Sequence, residues 1–325
     1  MSERPNKRFR DLLRLTEEMR KPGTRCSLVL LAFAASAFAQ NTPATPVFEF
    51  HSGFWVNLHH FLYEQATAES PAPSNSPEWM AAVAYYRKEI TKLDLLTNEA
   101  ARINNRLSGL EDAAPAANSG LSPDLIAALD AAAPIYRAQW WPDHDRANRA
   151  WIAAAEPLIE RYGEALKKGL ARIYATDWPV APIRTDVAEY ASRAGAYTTL
   201  GPTHITISSA NSGNQGNAAL EVLFHEASHA LVAKLRNTLS TEVKAQKQVF
   251  RRSDLWHAII FYTAGELVRR QLDGYTPYAI KGGLYDRVWP GVPEILDADW
   301  KPYMDQSIDL TTAARRLAAD YGVAQ

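Results

Sequence analysis

Cysteine is nearly missing: the 325 residues hold one, Cys26. That scarcity excludes a disulfide framework and a zinc site built on several thiolates. Long basic runs are missing too. Lys and Arg number 35 against 36 Asp and Glu, giving a formal net charge of -1. No Lys/Arg stripe appears beyond the extreme N-terminus, so the electrostatic footprint of a nucleic-acid binder is lacking. No fixed-period repeat is visible, which excludes a solenoid or propeller. What is present is a chain with 47% hydrophobic and 22% charged residues, the profile of a folded globular protein of one large or two small domains.

The first forty residues differ in character. Arg and Lys recur from Arg4 to Arg25, and Ser27 to Ala39 reads SLVLLAFAASAFA. This run is shorter than the ~20 residues a membrane span needs. It ends on Ala37-Phe38-Ala39, a small-residue cleavage pattern, before Gln40. The combination predicts a signal peptide over 1–39 and export to the periplasm or the extracellular space, with Met19 as an alternative start. Cys26 would leave with that segment. The mature chain would then have neither a cysteine nor a membrane span.

Downstream, hydrophobic spacing predicts an α+β, mostly α protein. A helical region over 40–177 precedes a second region, 178–325, that carries a small sheet; the alternative is that the two form one compact domain. Phe50 to Glu64 is aromatic-rich with Phe54, Trp55, Leu58, Phe61 and Leu62 at helical spacing. Ser76-Pro77 opens a helical stretch to about Leu107, Ser122-Pro123-Asp124 opens another, and Asp145 to about Ala175 reads as a third, with Pro157 and Gly163 as candidate kinks. Ile183–Tyr190, Ala196–Leu200 and His204–Ser208 are short, β-branched and separated by Gly and Pro, and read as strands. A helix is expected from Asn217 to about Arg236, another from after Ser253-Asp254 to about Leu272, and a last one over Asp309–Tyr321. Asp273 to Pro293 reads as loop.

The central motif is His225-Glu226-Ala227-Ser228-His229. Residues four apart on a helix project from one side, so two imidazoles can reach a single Zn²⁺. Glu226, on a neighbouring angle, can act as general base on the attacking water without binding the metal. Leu220, Phe224, Ala227 and Leu231 form an apolar stripe on the other side, suited to anchor the helix in a core.

With this motif behind short strands and ahead of a further helix, residues 180–290 resemble the zincin superfamily of metallopeptidases. The resemblance implies a zinc-dependent hydrolase acting on a peptide or protein substrate, with a sheet-edge strand that pairs with bound peptide. Thr203–Ile207 is the candidate edge strand. Val232 and Leu235 stand where the metzincin branch requires Gly and His. The gluzincin branch fits better, and its third ligand, a Glu on a following helix, maps to Glu266. Many gluzincins carry an Asp four residues further on; here it is Arg270, so the group that orients the ligand is unassigned. His257 is the alternative third ligand. It lies nine residues before Glu266, about 180° away on one helix, so the two can scarcely share a metal.

Tyr262 and Tyr278 are candidate oxyanion donors, with Tyr275 and Tyr285 nearby. His51, His59 and His60 read as packed, hydrogen-bonded residues. Two alternatives to the enzyme remain: a zincin-like binding or scaffold protein of the cell envelope without turnover, and a helical protein in which the motif is accidental.

Overall fold

Three segments between Ile183 and Ser208 are too short and too β-branched to make helices, and they pair with one another and with a fourth segment from far upstream. The computed structural model describes residues 45–93 and 98–324. The expected signal peptide, with Met19 and Cys26, lies outside the described residues. The sheet has the order β1 (Phe48–His51), β2 (Ile183–Ala188), β4 (His204–Ser208), β3 (Ala196–Thr199). β1, β2 and β4 run parallel, and β3 is antiparallel to β4.

Two expectations are corrected. Phe48–His51 is a strand, not the start of the aromatic helix, which begins at Phe54. Thr203–Ile207 is not at an edge: β4 lies inside the sheet, flanked by β2 and β3, and the edges are β1 and β3, the latter joined to β4 as an antiparallel hairpin.

The helices follow the caps. α1 spans Phe54–Thr67, α2 Pro77–Tyr85, α3 Asn98–Ser108, α4 Pro123–Gln139 and α5 Trp141–Tyr174. Ser76 caps α2 by accepting from the Trp79 amide, with Pro77 at the first helical position. The stretch expected to run from Ser76 to Leu107 is broken: a π-turn over Tyr86–Ile90 ends its first part. Then come α6 (Asn217–Ser228), α7 (Ala233–Ala245), α8 (Leu255–Arg269), short turns at Tyr278–Lys281, Leu284–Val288 and Val292–Ile295, and α9 (Leu310–Tyr321) capped by Asp309. A two-stranded ribbon pairs β5 (Gln248–Phe250) with β6 (Gly322–Ala324). The architecture is α+β and mostly α. From Thr45 onward the chain forms one compact unit. No helix among the described residues is long and apolar enough to cross a membrane.

The two faces of the sheet differ in chemistry. Phe48, Ile183, Val187, Ile205 and Ile207 lie on one face and join an apolar core with α5, α6, α8 and α9. Alternate residues place Asp186, His204, Thr206 and Tyr197 on the other, toward α1 and α3. These polar groups are buried and paired. His204 Nε2 meets Asp186 at 2.6 Å and its Nδ1 meets Asn105 at 2.9 Å. Asn104 donates to Thr206 at 2.9 Å, and His60 Nε2 meets the Tyr197 hydroxyl at 2.7 Å. Burial would raise the Asp186 carboxyl, but hydrogen bonds from His204 and Arg184 outweigh it and hold the group below its usual range. The far sides of α1–α4 close over a second apolar core around Phe54, Trp79, Leu129 and Tyr136.

Candidate metal centre

α6 carries the motif between the sheet and α8. Its apolar stripe, Leu220, Phe224, Ala227 and Leu231, is buried in the main core as its spacing requires. Gly163 of α5 faces Phe224, where an added Cβ would make ordinary contact with the ring at 3.8 Å. The helix is shorter than the sequence suggests. The Ser228 hydroxyl bonds back to the Phe224 carbonyl at 2.7 Å, a contact that bends helices. The amides of His229, Ala230 and Leu231 then bond three residues back, and the helical path restarts as α7. No Gly or Pro marks this break. His229 therefore sits at the end of α6, where the turn brings it toward the start of α8.

The start of α8 supplies His257. His225, His229 and His257 each offer a ring nitrogen, and these nitrogens lie within 4.8 Å of one another. His225 Nε2 and His257 Nε2 are 3.2 Å apart. Two nitrogens bound to one tetrahedral zinc at ~2.0–2.1 Å each would be ~3.3 Å apart, so this spacing fits the ion. The rings are framed by aromatics: Phe261 lies against His225 at 3.9 Å between centroids, and Trp256 stands edge-on to His229 at 5.7 Å.

Electrostatics suits metal binding. Burial, then the neighbouring His229 and His257, push the His225 imidazole well below its usual range. Burial, His257 and Arg236 lower His229 to about 3. Burial lowers His257 to about 4, against the pull of Asp254. All three rings are thus neutral at neutral pH, with lone pairs free to ligate. A set of three neutral imidazoles is a donor set that zinc accepts, with a fourth position left open.

Glu226 is beside this group. Its carboxylate is 3.9 Å from His229 Nε2 and is 6% exposed. Burial raises it to about 7, partly offset by a hydrogen bond with Thr198. The Thr198 hydroxyl, on β3, lies 2.7 Å from Glu226 Oε2 and 2.9 Å from the Glu226 backbone carbonyl.

Glu266 is elsewhere. Its carboxylate accepts from Arg269 at 2.6 Å and from Arg270 at 3.0 Å, on the side of α8 that faces Asp297 and Asp305. The third-ligand expectation is corrected accordingly: of the two candidates on this helix, His257 is the one turned to His225 and His229. The helix pitch that separates the pair by half a turn allows only one of them to face α6. Tyr262 shares the outer side, with its hydroxyl on Asp297, so it is not placed to serve as an oxyanion donor.

Tyr278 remains near the site. Its ring is parallel to Phe261 at 6.2 Å, and both line a cleft of about 1140 Å³ with His257, Trp289, Asn211 and Gln215. Tyr275 instead donates to Glu221 at 2.7 Å, while the Tyr285 hydroxyl is buried against Ala258. Glu221, one turn before His225, also accepts from the Tyr278 amide at 2.9 Å and so fastens the cleft loop to α6. His59 and His60 are buried and bonded to Tyr86 and Tyr197, and His51 stands beside Glu49, all apart from the three-histidine group.

Sequence reasoning missed Thr198, Phe261, Trp256 and Glu221. Each acts through a contact between distant segments and carries no local signature. No protein-family model, no curated protein and no solved structure matches this chain.

Proposed function

We propose that the chain is a zinc-dependent hydrolase that cleaves peptide bonds. The observation that carries this reading is the convergence of His225, His229 and His257 with Glu226 beside them and outside the ligand group. A Zn²⁺ held by the three imidazoles would polarise the scissile carbonyl and favour deprotonation of the attacking water. The residues supply the rest. Glu226 takes the proton of the water as it attacks and returns it to the departing amine nitrogen. Its burial keeps it near neutrality, between acid and base. Phe261 and Trp256 shield the imidazoles from bulk water. The cleft beside His257 has room for several residues of substrate, and β3, the edge strand next to α6, is the one along which an extended peptide would lie.

The carboxylate is what favours an enzyme over a zinc-binding scaffold, since a binding site has no use for a base held next to its ligands. The test is zinc analysis of the purified chain together with turnover of a quenched peptide library. About one zinc per chain with chelator-sensitive cleavage is expected. Zinc without cleavage would leave the scaffold reading, and a chain that binds no zinc would remove both.

A further inference from the structure

The Thr198 hydroxyl faces two oxygens of a single residue, the Oε2 atom and the main-chain carbonyl of Glu226, at 2.7 and 2.9 Å. We infer that Thr198 is a positioning residue that ties the Glu226 carboxyl to its own backbone and so aims it at the three-histidine site. The inference rests on the hydrolase reading for its kinetic consequence, but the contact itself stands without it.

The geometry explains why a hydroxyl is suited to this place. Glu226 ends a helix that is about to turn, and its side chain has several rotatable bonds. Its carbonyl is held by the His229 amide at 3.1 Å. A group that bridges this fixed carbonyl and the carboxyl removes the rotations that would swing the carboxyl away. A hydroxyl has one proton to give and lone pairs to receive. Thr198 Oγ1 lies within hydrogen-bond distance of both Glu226 oxygens, so one group spans the carboxyl and the main chain that carries it. Thr198 belongs to β3, whose neighbour Tyr197 points to the other sheet face and is held by His60, so the strand itself is anchored.

Thr198→Val removes the hydroxyl and keeps the shape; Thr198→Ser keeps the hydroxyl; Thr198→Ala is a second deletion should Val disturb the fold. In the metal-free protein, the Glu226 carboxyl carbon, assigned by ¹³C NMR through its disappearance in Glu226→Gln, is expected to shift in the Val and Ala variants and to stay in place in the Ser variant. In the zinc-loaded protein, kcat is expected to fall about 10²-fold in Val and Ala, with KM and zinc stoichiometry unchanged, and to recover in Ser. An unmoved resonance in the Val and Ala variants overturns the inference, as does a Ser variant as impaired as Val. Absence of hydrolysis by the unaltered chain overturns the hydrolase reading instead, and the resonance still decides the contact.

Discussion

His257 and Glu266 stand on opposite sides of α8: the imidazole of one is 3.2 Å from His225, and the carboxylate of the other is held by Arg269 and Arg270. Zinc stoichiometry of two variants reads this relationship directly. His257→Ala is expected to lose the metal. Glu266→Ala is expected to keep one zinc and to cost about 1 kcal/mol of stability, since Arg269 is itself half exposed and screened by water. Metal loss in Glu266→Ala with retention in His257→Ala would rule out the three-histidine site.

Glu226 neighbours the three imidazoles and stands outside their group. Glu226→Gln is therefore expected to bind zinc like the unaltered chain, while kcat falls by about 10²–10⁴-fold. His225→Ala and His229→Ala are each expected to lose the ion. If all three variants lost zinc to the same degree, Glu226 would have to be counted as a ligand.

Glu221 gives a pH-dependent stability. Burial lifts its carboxyl from 4.5 to about 7, despite hydrogen bonds from Tyr275 and the Tyr278 amide. The folded state therefore holds this proton more tightly than the unfolded chain. The resulting stabilisation is fully present below pH 4.5 and is lost as pH rises through about 7. Glu221→Gln keeps the acceptor and cannot ionise. Urea midpoints should be similar near pH 5, and at pH 8.5 the Gln variant should be more stable, by on the order of 2 kcal/mol. An equal difference at both pH values would count against the raised carboxyl. Other buried acids are common to both proteins and cancel.

Gly265 is where α8 meets the cleft loop. A Cβ there would lie 2.7 Å from the Pro277 side chain and 3.0 Å from Glu221 Oε1. Gly265→Ala gains about 1 kcal/mol of helix propensity and loses roughly 1–3 kcal/mol to the clash. A net fall in the thermal midpoint is expected, together with displacement of Tyr278 seen as altered tyrosine fluorescence. A variant more stable than the parent would show that the loop is free to yield.

Local patterns carried much of the fold. β-branched alternation marked β2, β3 and β4, and Ser76-Pro77, Ser122-Pro123 and Asp309 marked helix starts that the structure keeps. The pair His225 and His229 with Glu226 was legible because one helix sets all three. What escaped was set at long range. β1 is a strand because Ile183–Asp186 offers it a partner, although its aromatics continue the spacing of a helix. The break after Ser228 comes from a side chain bonding to its own helix, which propensity does not register. His257 and Glu266 could both be named from sequence. Choosing between them required knowing which side of α8 faces α6, and the tertiary packing decides that.

The sheet joins stretches that are made at very different times. Asn57, just after β1, donates to the Val187 carbonyl across 130 positions of sequence. A chain emerging from its amino end therefore presents β1 long before any strand can receive it. Closing so large a loop is costly before the contacts that reward it exist, and folding should be slow by the standards of helical proteins. In the interval Phe48, whose ring packs edge-on against Trp178 and Phe224 in the finished fold, stays uncovered. A chain cut before Ile183 would hold β1 as one strand of a parallel sheet with nothing to lie against.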